Sequence, residues 1–132
     1  MIKNKNIFEI VFHARGGQGA KVAAEIIAQA AFREGKFVQA FPSFGPERSG
    51  APTETFVRIS DAPIRTHEPV INPDAVIFLD ETILHSKSKE LWLENGKALI
   101  INSKKTPEEW SKVIADSGNE NFRGKIYVVD AN

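Results

Sequence analysis

Cysteine is absent from the 132 residues of this chain. Without it the chain forms no disulfide, binds no zinc through thiolate, holds no iron–sulfur cluster of its own and has no cysteine nucleophile. Such groups stay open to a partner. A charge excess is absent too, since 17 Lys and Arg stand against 17 Asp and Glu, a formal net charge of zero. General nucleic-acid binding usually shows as a basic excess, so it is not expected here. No apolar run approaches the roughly 20 residues that cross a membrane as a helix. The opening stretch Met1-Ile2-Lys3-Asn4-Lys5-Asn6 leads into no unbroken apolar segment of the secretion type. The expected location is the cytoplasm, with no membrane and no nucleic acid as partner. Repeats and low-complexity segments are missing as well. What is present is ordinary for one globular domain with one core: 42% hydrophobic and 26% charged residues.

The pattern of elements alternates. Ile7 to Phe12 is rich in aliphatic and aromatic residues and reads as a strand, and a helical pattern begins near Ala20. In it Val22, Ile26 and Ala30 form one apolar row and Ala23, Ile27 and Ala31 the next, while Lys21, Glu25, Gln29 and Arg33 form a polar row. Gly35 is a helix stop. Phe37 to Phe41 reads as a second strand closed by Pro42, which implies a parallel pair with a right-handed crossover. The Gly- and Pro-rich stretch from Ser43 to Pro52 is a loop. Thr53 to Ile59 alternates in part and reads as an antiparallel or edge strand. Ala75 to Leu79 and Ala98 to Ile101 are short apolar runs of the buried parallel kind. Between them a helix is expected from Glu81 or Thr82 to about Glu94. Thr106-Pro107-Glu108-Glu109 is a helix start, with Thr as N-cap, Pro first and acids in the first turn. That helix is expected to reach about Asp116, and Lys125 to Val129 is a last strand. The expected fold is α/β: an open, mostly parallel twisted sheet of four βα-type repeats, helices on both faces, and an antiparallel edge insertion near Thr53–Ile59.

Between the first strand and the first helix lies His13-Ala14-Arg15-Gly16-Gly17-Gln18-Gly19. Three glycines in four positions let backbone N–H groups crowd toward one point. The helix N-terminus behind them carries a partial positive charge, and Arg15 adds a full one. The turn suits an anion. It does not fit the phosphate loop, because Lys21 is followed by Val22 rather than Ser or Thr. It does not complete the dinucleotide fingerprint either: the third glycine position holds Val22, and Gln39 stands where an acid would meet the ribose. A tight strand-to-helix turn with no ligand satisfies the same pattern.

Several segments taken together carry a resemblance. Arg15-Gly16-Gly17-Gln18-Gly19-Ala20-Lys21, Gln39-Ala40-Phe41-Pro42, Phe44-Gly45-Pro46-Glu47-Arg48-Ser49-Gly50-Ala51-Pro52, Val57-Arg58-Ile59-Ser60-Asp61 and Pro73-Asp74-Ala75-Val76-Ile77 resemble the gamma subunit of 2-oxoacid:ferredoxin oxidoreductases, the pyruvate type most of all. The similarity covers nearly the whole chain, and the two glycine-containing loops at this separation are its specific part. The resemblance implies a complex that oxidatively decarboxylates pyruvate, passes the acyl unit to coenzyme A and sends electrons to ferredoxin. Thiamine diphosphate, magnesium and iron–sulfur clusters would sit on other subunits, with alpha, beta and delta subunits as partners and no cofactor bound by this chain alone. The alternatives are a gamma subunit serving branched-chain 2-oxoacids, and a stand-alone α/β module that binds a phosphate-bearing small molecule. Family members usually continue past Asp130 with helical sequence, so the expectation is a single gamma-type domain, cut short after Asn132.

Given the resemblance, Arg15, Gly16, Gly17, Gln18 and Gly19 have three readings: contact with an anion or coenzyme A, subunit packing, or a plain turn. For Phe44, Gly45, Pro46, Glu47, Arg48 and Gly50 the first reading is a subunit interface, with an approach to the active site or a solvated loop as alternatives. Asp80 and Asp130 end strands on the side where open α/β sheets bind ligands, and for Asp80 helix capping is the plainer role. His13, His67 and His85 share no metal-site spacing and read as structural or surface residues. Trp92 and Trp110 read as core contacts of helices. No catalytic residue is assigned, since no Ser/His/Asp relay or carboxylate pair is set by spacing.

Overall fold

The structure is a computed structural model that describes residues 7–43, 52–87, 97–118, 122 and 124–130. Its elements are β1 (Ile7–Arg15), α1 (Ala20–Arg33), β2 (Phe37–Pro42), β3 (Pro52–Ser60), β4 (Ala75–Phe78), α2 (Glu81–Lys87), β5 (Ala98–Asn102), α3 (Pro107–Asp116) and β6 (Lys125–Val129). They form one six-stranded sheet in the order β2-β3-β1-β4-β5-β6. β1, β4, β5 and β6 pair parallel in succession. β3 is antiparallel to both of its neighbours. The expected α/β sheet with helices on both faces and an antiparallel pair at one edge is therefore present. Among the described residues it contains three βα pairs followed by β6.

Two details of the reading shift. β1 and β2 run in the same direction, but β3 is inserted between them, and β2 takes the outer place. β3 alternates only in part because it is buried on both faces: Val57 packs toward α1, and Phe56 packs on the other side with Val11 and Val70. The second shift concerns α1. Its buried row is Ala20, Ala24 and Ala28, with Ala23, Ile27 and Ala31 half-buried, whereas Val22 and Ile26 are 58% and 61% exposed. Alanines let the helix axis approach the sheet closely, and the two larger side chains then fall on the outer side.

The chain leaves β1 through α1 toward β2, on one side of the sheet. It leaves β4 through α2 and α3 toward β5 and β6, on the other side. Reversing direction with crossovers of one hand puts the helices on opposite faces, and the cores show this. Ile10, Phe12, Ala14 and Ala75 pack with Ala20 and Ala24 of α1. Val76, Phe78, Leu99 and Ile101 pack with Ile83 and Leu84 of α2 and with Trp110 and Ile114 of α3. The reversal falls between neighbouring strands β1 and β4. In open α/β sheets the crevice outside the carboxyl ends of such strands is where ligands bind.

α2 is described as Glu81–Lys87, and the expected continuation toward Glu94, with Trp92, lies outside the described residues. Trp110 is fully buried, as expected of a core contact.

Candidate functional site

The glycine turn stands at this reversal. Gly17 and Gly19 have φ of 87° and 86°, the left-handed region where a side chain is strained. They let β1 bend at once into α1, whose N-cap is Gly19 and whose first turn has no side-chain cap and no acidic residue. The turn is closed in both directions: Gln18 N donates to Arg15 O at 3.2 Å, and Arg15 N donates to Gln18 Oε1 at 2.6 Å.

The second half of the site comes from the end of β4, some 60 residues further along. Gln18 Nε2 donates to Asp80 Oδ2 at 3.0 Å, and Arg15 Nε lies 3.3 Å from the same oxygen. Arg15 Nη2 donates to Thr82 Oγ1 at 3.0 Å, and Thr82 Oγ1 donates in turn to Asp80 Oδ1 at 2.5 Å. Thr82 N also donates to Asp80 Oδ1, at 2.9 Å, so Asp80 caps α2 as the sequence suggested. It does more than that, since one carboxylate gathers the turn after β1 and the helix after β4. The Arg15 side chain is 34% exposed and that of Asp80 17%, so both remain within reach of solvent.

The hydrogen bonds from Thr82 hold the Asp80 carboxyl below its ordinary pKa, with Gln18 and Arg15 adding to the effect and partial burial opposing it. A depressed carboxylate contributes stability that is complete above its unfolded value, about 4, and is lost as pH falls through the lower folded value. Asp80→Asn is expected to remove this part of the acid destabilisation, leaving a flatter melting temperature profile below about pH 4. Thermal unfolding followed by circular dichroism across that range measures it, and an unchanged slope would contradict the assignment.

The second glycine-containing loop is flanked by β2 and β3. Pro52, the first residue of β3, pairs with Arg15, and Thr53 Oγ1 donates to Ala14 O at 3.1 Å. At the other flank Ser43 N donates to Glu54 O at 2.8 Å. The loop that joins β2 to β3 thus leaves beside Glu54 of β3 and returns at Pro52 beside Arg15. Phe44, Gly45, Pro46, Glu47, Arg48 and Gly50 themselves lie outside the described residues. Gln39, which stood where a dinucleotide fold would need an acid, faces elsewhere: its amide accepts from Arg58 and donates to Thr66 O. Among the described residues no three His, Cys, Asp or Glu side chains form a metal-binding group. No described helix is long and apolar enough to cross a membrane.

A family model for pyruvate ferredoxin/flavodoxin oxidoreductase matches residues 9–132. The chain belongs to this family. It is 46% identical over 125 residues to the pyruvate/ketoisovalerate oxidoreductases common subunit gamma of Thermococcus kodakarensis, covering 95% of this chain and 65% of that one. Over 127 residues it is 46% identical to pyruvate synthase subunit PorC of Thermotoga maritima, covering 96% of this chain and 62% of that one. The crystal structure of pyruvate oxidoreductase subunit PORC from Thermotoga maritima matches with a TM-score of 0.75 and 44% identity, covering 96% of this chain and 64% of that one. The chain thus spans a little under two thirds of the length of these relatives. In this oxidoreductase family member the Arg15 half of the candidate site is contiguous in sequence, whereas the tie to Thr82 was missed. The available signal was Asp80-Glu81-Thr82 directly after an apolar strand, an acid and a hydroxyl poised at a helix start.

Proposed function

We propose that this chain is the gamma component of a pyruvate:ferredoxin oxidoreductase, a cytoplasmic complex that converts pyruvate and coenzyme A to acetyl-CoA and carbon dioxide and gives two electrons to ferredoxin. The observation that carries the reading is the identity of 46% to the PorC subunit across 96% of this chain. Thiamine diphosphate, magnesium and the iron–sulfur clusters belong to the alpha, beta and delta subunits in this reading. The chain has no cysteine to ligate a cluster, and among its described residues no three His, Cys, Asp or Glu side chains gather as metal ligands. Its own contribution is a surface at the β1–β4 reversal, where Arg15, Gln18 and the Gly16, Gly17 and Gly19 backbone meet an anionic part of coenzyme A. The loop of Phe44 to Gly50 beside it contacts a neighbouring subunit.

The shared name of the Thermococcus relative, a common subunit for pyruvate and ketoisovalerate oxidoreductases, favours a second feature. The gamma component does not select the 2-oxoacid, and one such chain serves branched-chain substrates as well.

The test is reconstitution. The purified chain alone is expected to give no pyruvate-dependent reduction of ferredoxin, and activity is expected once the alpha, beta and delta subunits are added. Arg15→Gln in that complex should raise KM for coenzyme A about tenfold, the effect of about 1.4 kcal/mol of lost binding, with KM for pyruvate unchanged. Turnover by the chain alone, or no association with the other subunits, would overturn the reading. Tight coenzyme A binding without association would point to a stand-alone ligand-binding module instead.

A further inference from the structure

We propose that Asp80 is an internal competitor for the anion site, a carboxylate that occupies the cationic side of the turn until a phosphate group displaces it. The inference rests on the anion reading of Arg15 above and adds how that site is regulated and which anions it admits. The strand order places the β1–α1 turn and the β4–α2 turn on the two sides of one crevice. Across that crevice a single carboxylate oxygen, Asp80 Oδ2, receives both Gln18 Nε2 at 3.0 Å and Arg15 Nε at 3.3 Å. These are the two polar side chains of the turn itself. The bridge therefore neutralises Arg15 and ties the two lips of the crevice together.

A ligand anion has to replace that oxygen. Asp80 is tethered through the sheet, and even loosely tethered groups act at effective concentrations in the millimolar range. A free monocarboxylate offers the same charge and the same oxygen geometry, so it gains little by the exchange. A phosphate or pyrophosphate brings more charge and more acceptor oxygens, and charge-assisted hydrogen bonds to guanidinium strengthen accordingly. The device thus selects phosphate-bearing ligands over simple carboxylates, among them a 2-oxoacid. The freed Asp80 keeps Thr82 N and Thr82 Oγ1 as donors on its other oxygen, so α2 retains its cap while the crevice opens.

Calorimetric titration of the full chain at low ionic strength tests this, with pyrophosphate, inorganic phosphate, acetate and coenzyme A as probes. Wild type should bind pyrophosphate and show no measurable affinity for acetate. Asp80→Asn keeps an acceptor for Thr82 N, and Asn caps helices as well as Asp; it should bind pyrophosphate at least tenfold more tightly and begin to bind acetate. Thr82→Val, which loosens the hold on Arg15, should shift affinity the same way by a smaller factor. Arg15→Gln should abolish binding in both backgrounds. Thermal melts confirm that each variant is folded. Equal or weaker pyrophosphate binding by Asp80→Asn would overturn the proposal, because Asp80 would then merely orient Arg15, and so would the absence of anion binding in every variant. Tighter pyrophosphate binding without any affinity for coenzyme A would support the competitor and remove the coenzyme A reading alone.

Discussion

Replacing Arg58 with alanine is expected to lower the unfolding free energy by about 3–5 kcal/mol. Arg58 is 3% exposed in the middle of β3, a position where a charge survives only if it is fully partnered. Its partners are set by register. Glu9 of β1 and Gln39 of β2 stand directly opposite on either side. Arg58 Nε donates to Glu9 Oε2 at 2.8 Å, Nη1 to Gln39 Oε1 at 2.9 Å, and Nη2 to Glu68 O at 2.6 Å. The guanidinium carbon also lies 5.7 Å from the Phe41 ring centroid. The third hydrogen bond, with that of Gln39 Nε2 to Thr66 O at 2.7 Å, holds the irregular segment after β3 over β2 and β3, on the sheet face that α2 and α3 cover further along. Removing the guanidinium takes the Arg58 cation from a largely buried Glu9 carboxylate and a donor from Gln39 Oε1 and Glu68 O. The double variant Glu9→Leu/Arg58→Met removes both charges, keeps bulk, and should recover much of the loss. Urea unfolding of the singles and the double measures the coupling. A cost below about 1 kcal/mol for Arg58→Ala, the size of an exposed pair, would show that the network is solvent-screened.

Arg58 also marks where the sequence stopped being legible. The glycine turn, the parallel strands at Ala75 and Ala98, and the cap at Thr106 were readable because each is local: a few adjacent residues with one conformation. The capping box at Thr106 and Glu109 is present as both hydrogen bonds. The rows of α1 misled because periodicity gives the direction of an apolar stripe only when polar residues oppose it. Val22 and Ile26 lie on the same helix as the buried alanines, and volume alone cannot say which row meets a sheet. The Arg58 row and the Arg15–Asp80 bridge were hidden for another reason. They join residues up to 67 positions apart, and only strand order and register bring such residues together. The candidate site was half legible: its cation and glycines are contiguous, while its carboxylate belongs to another βα unit. The position of the β1–β4 reversal follows once β3 is known to insert beside β1, which no local pattern announces.

Trp110→Ala is expected to cost about 3–5 kcal/mol, and its consequences should reach the candidate site. The Thr106 cap and Pro107 start α3 so that Trp110, one turn in, points at the sheet, where it is wholly buried beside Phe78, Leu99, Ile101 and Ile114. Its indole Nε1–H donates to Ser103 Oγ at 3.0 Å, and the same oxygen accepts from Lys105 N at 3.1 Å. Ser103 N donates to Val129 O at 2.9 Å, so the ends of β5 and β6 and the start of α3 share one anchor. Trp110→Phe retains most of the apolar area but loses the indole donor and leaves a small void, for about 1–3 kcal/mol. Denaturant midpoints separate the two variants if the slope m is unchanged, and equal losses would mean that the indole hydrogen bond rather than the filled volume dominates. The ring of His85, on α2, lies 4.9 Å from the Trp110 ring. Thr82 begins that same helix and holds Asp80 and Arg15. Loss of Trp110 therefore loosens α2 at its far end, and hydrogen exchange at the amide of Ile83, bonded to Asp80 O at 3.2 Å, should quicken more in Trp110→Ala than in Trp110→Phe. Equal protection of that amide in both variants would show that α2 is held by Ile83 and Leu84 alone, and that the candidate site is mechanically separate from the α3 core.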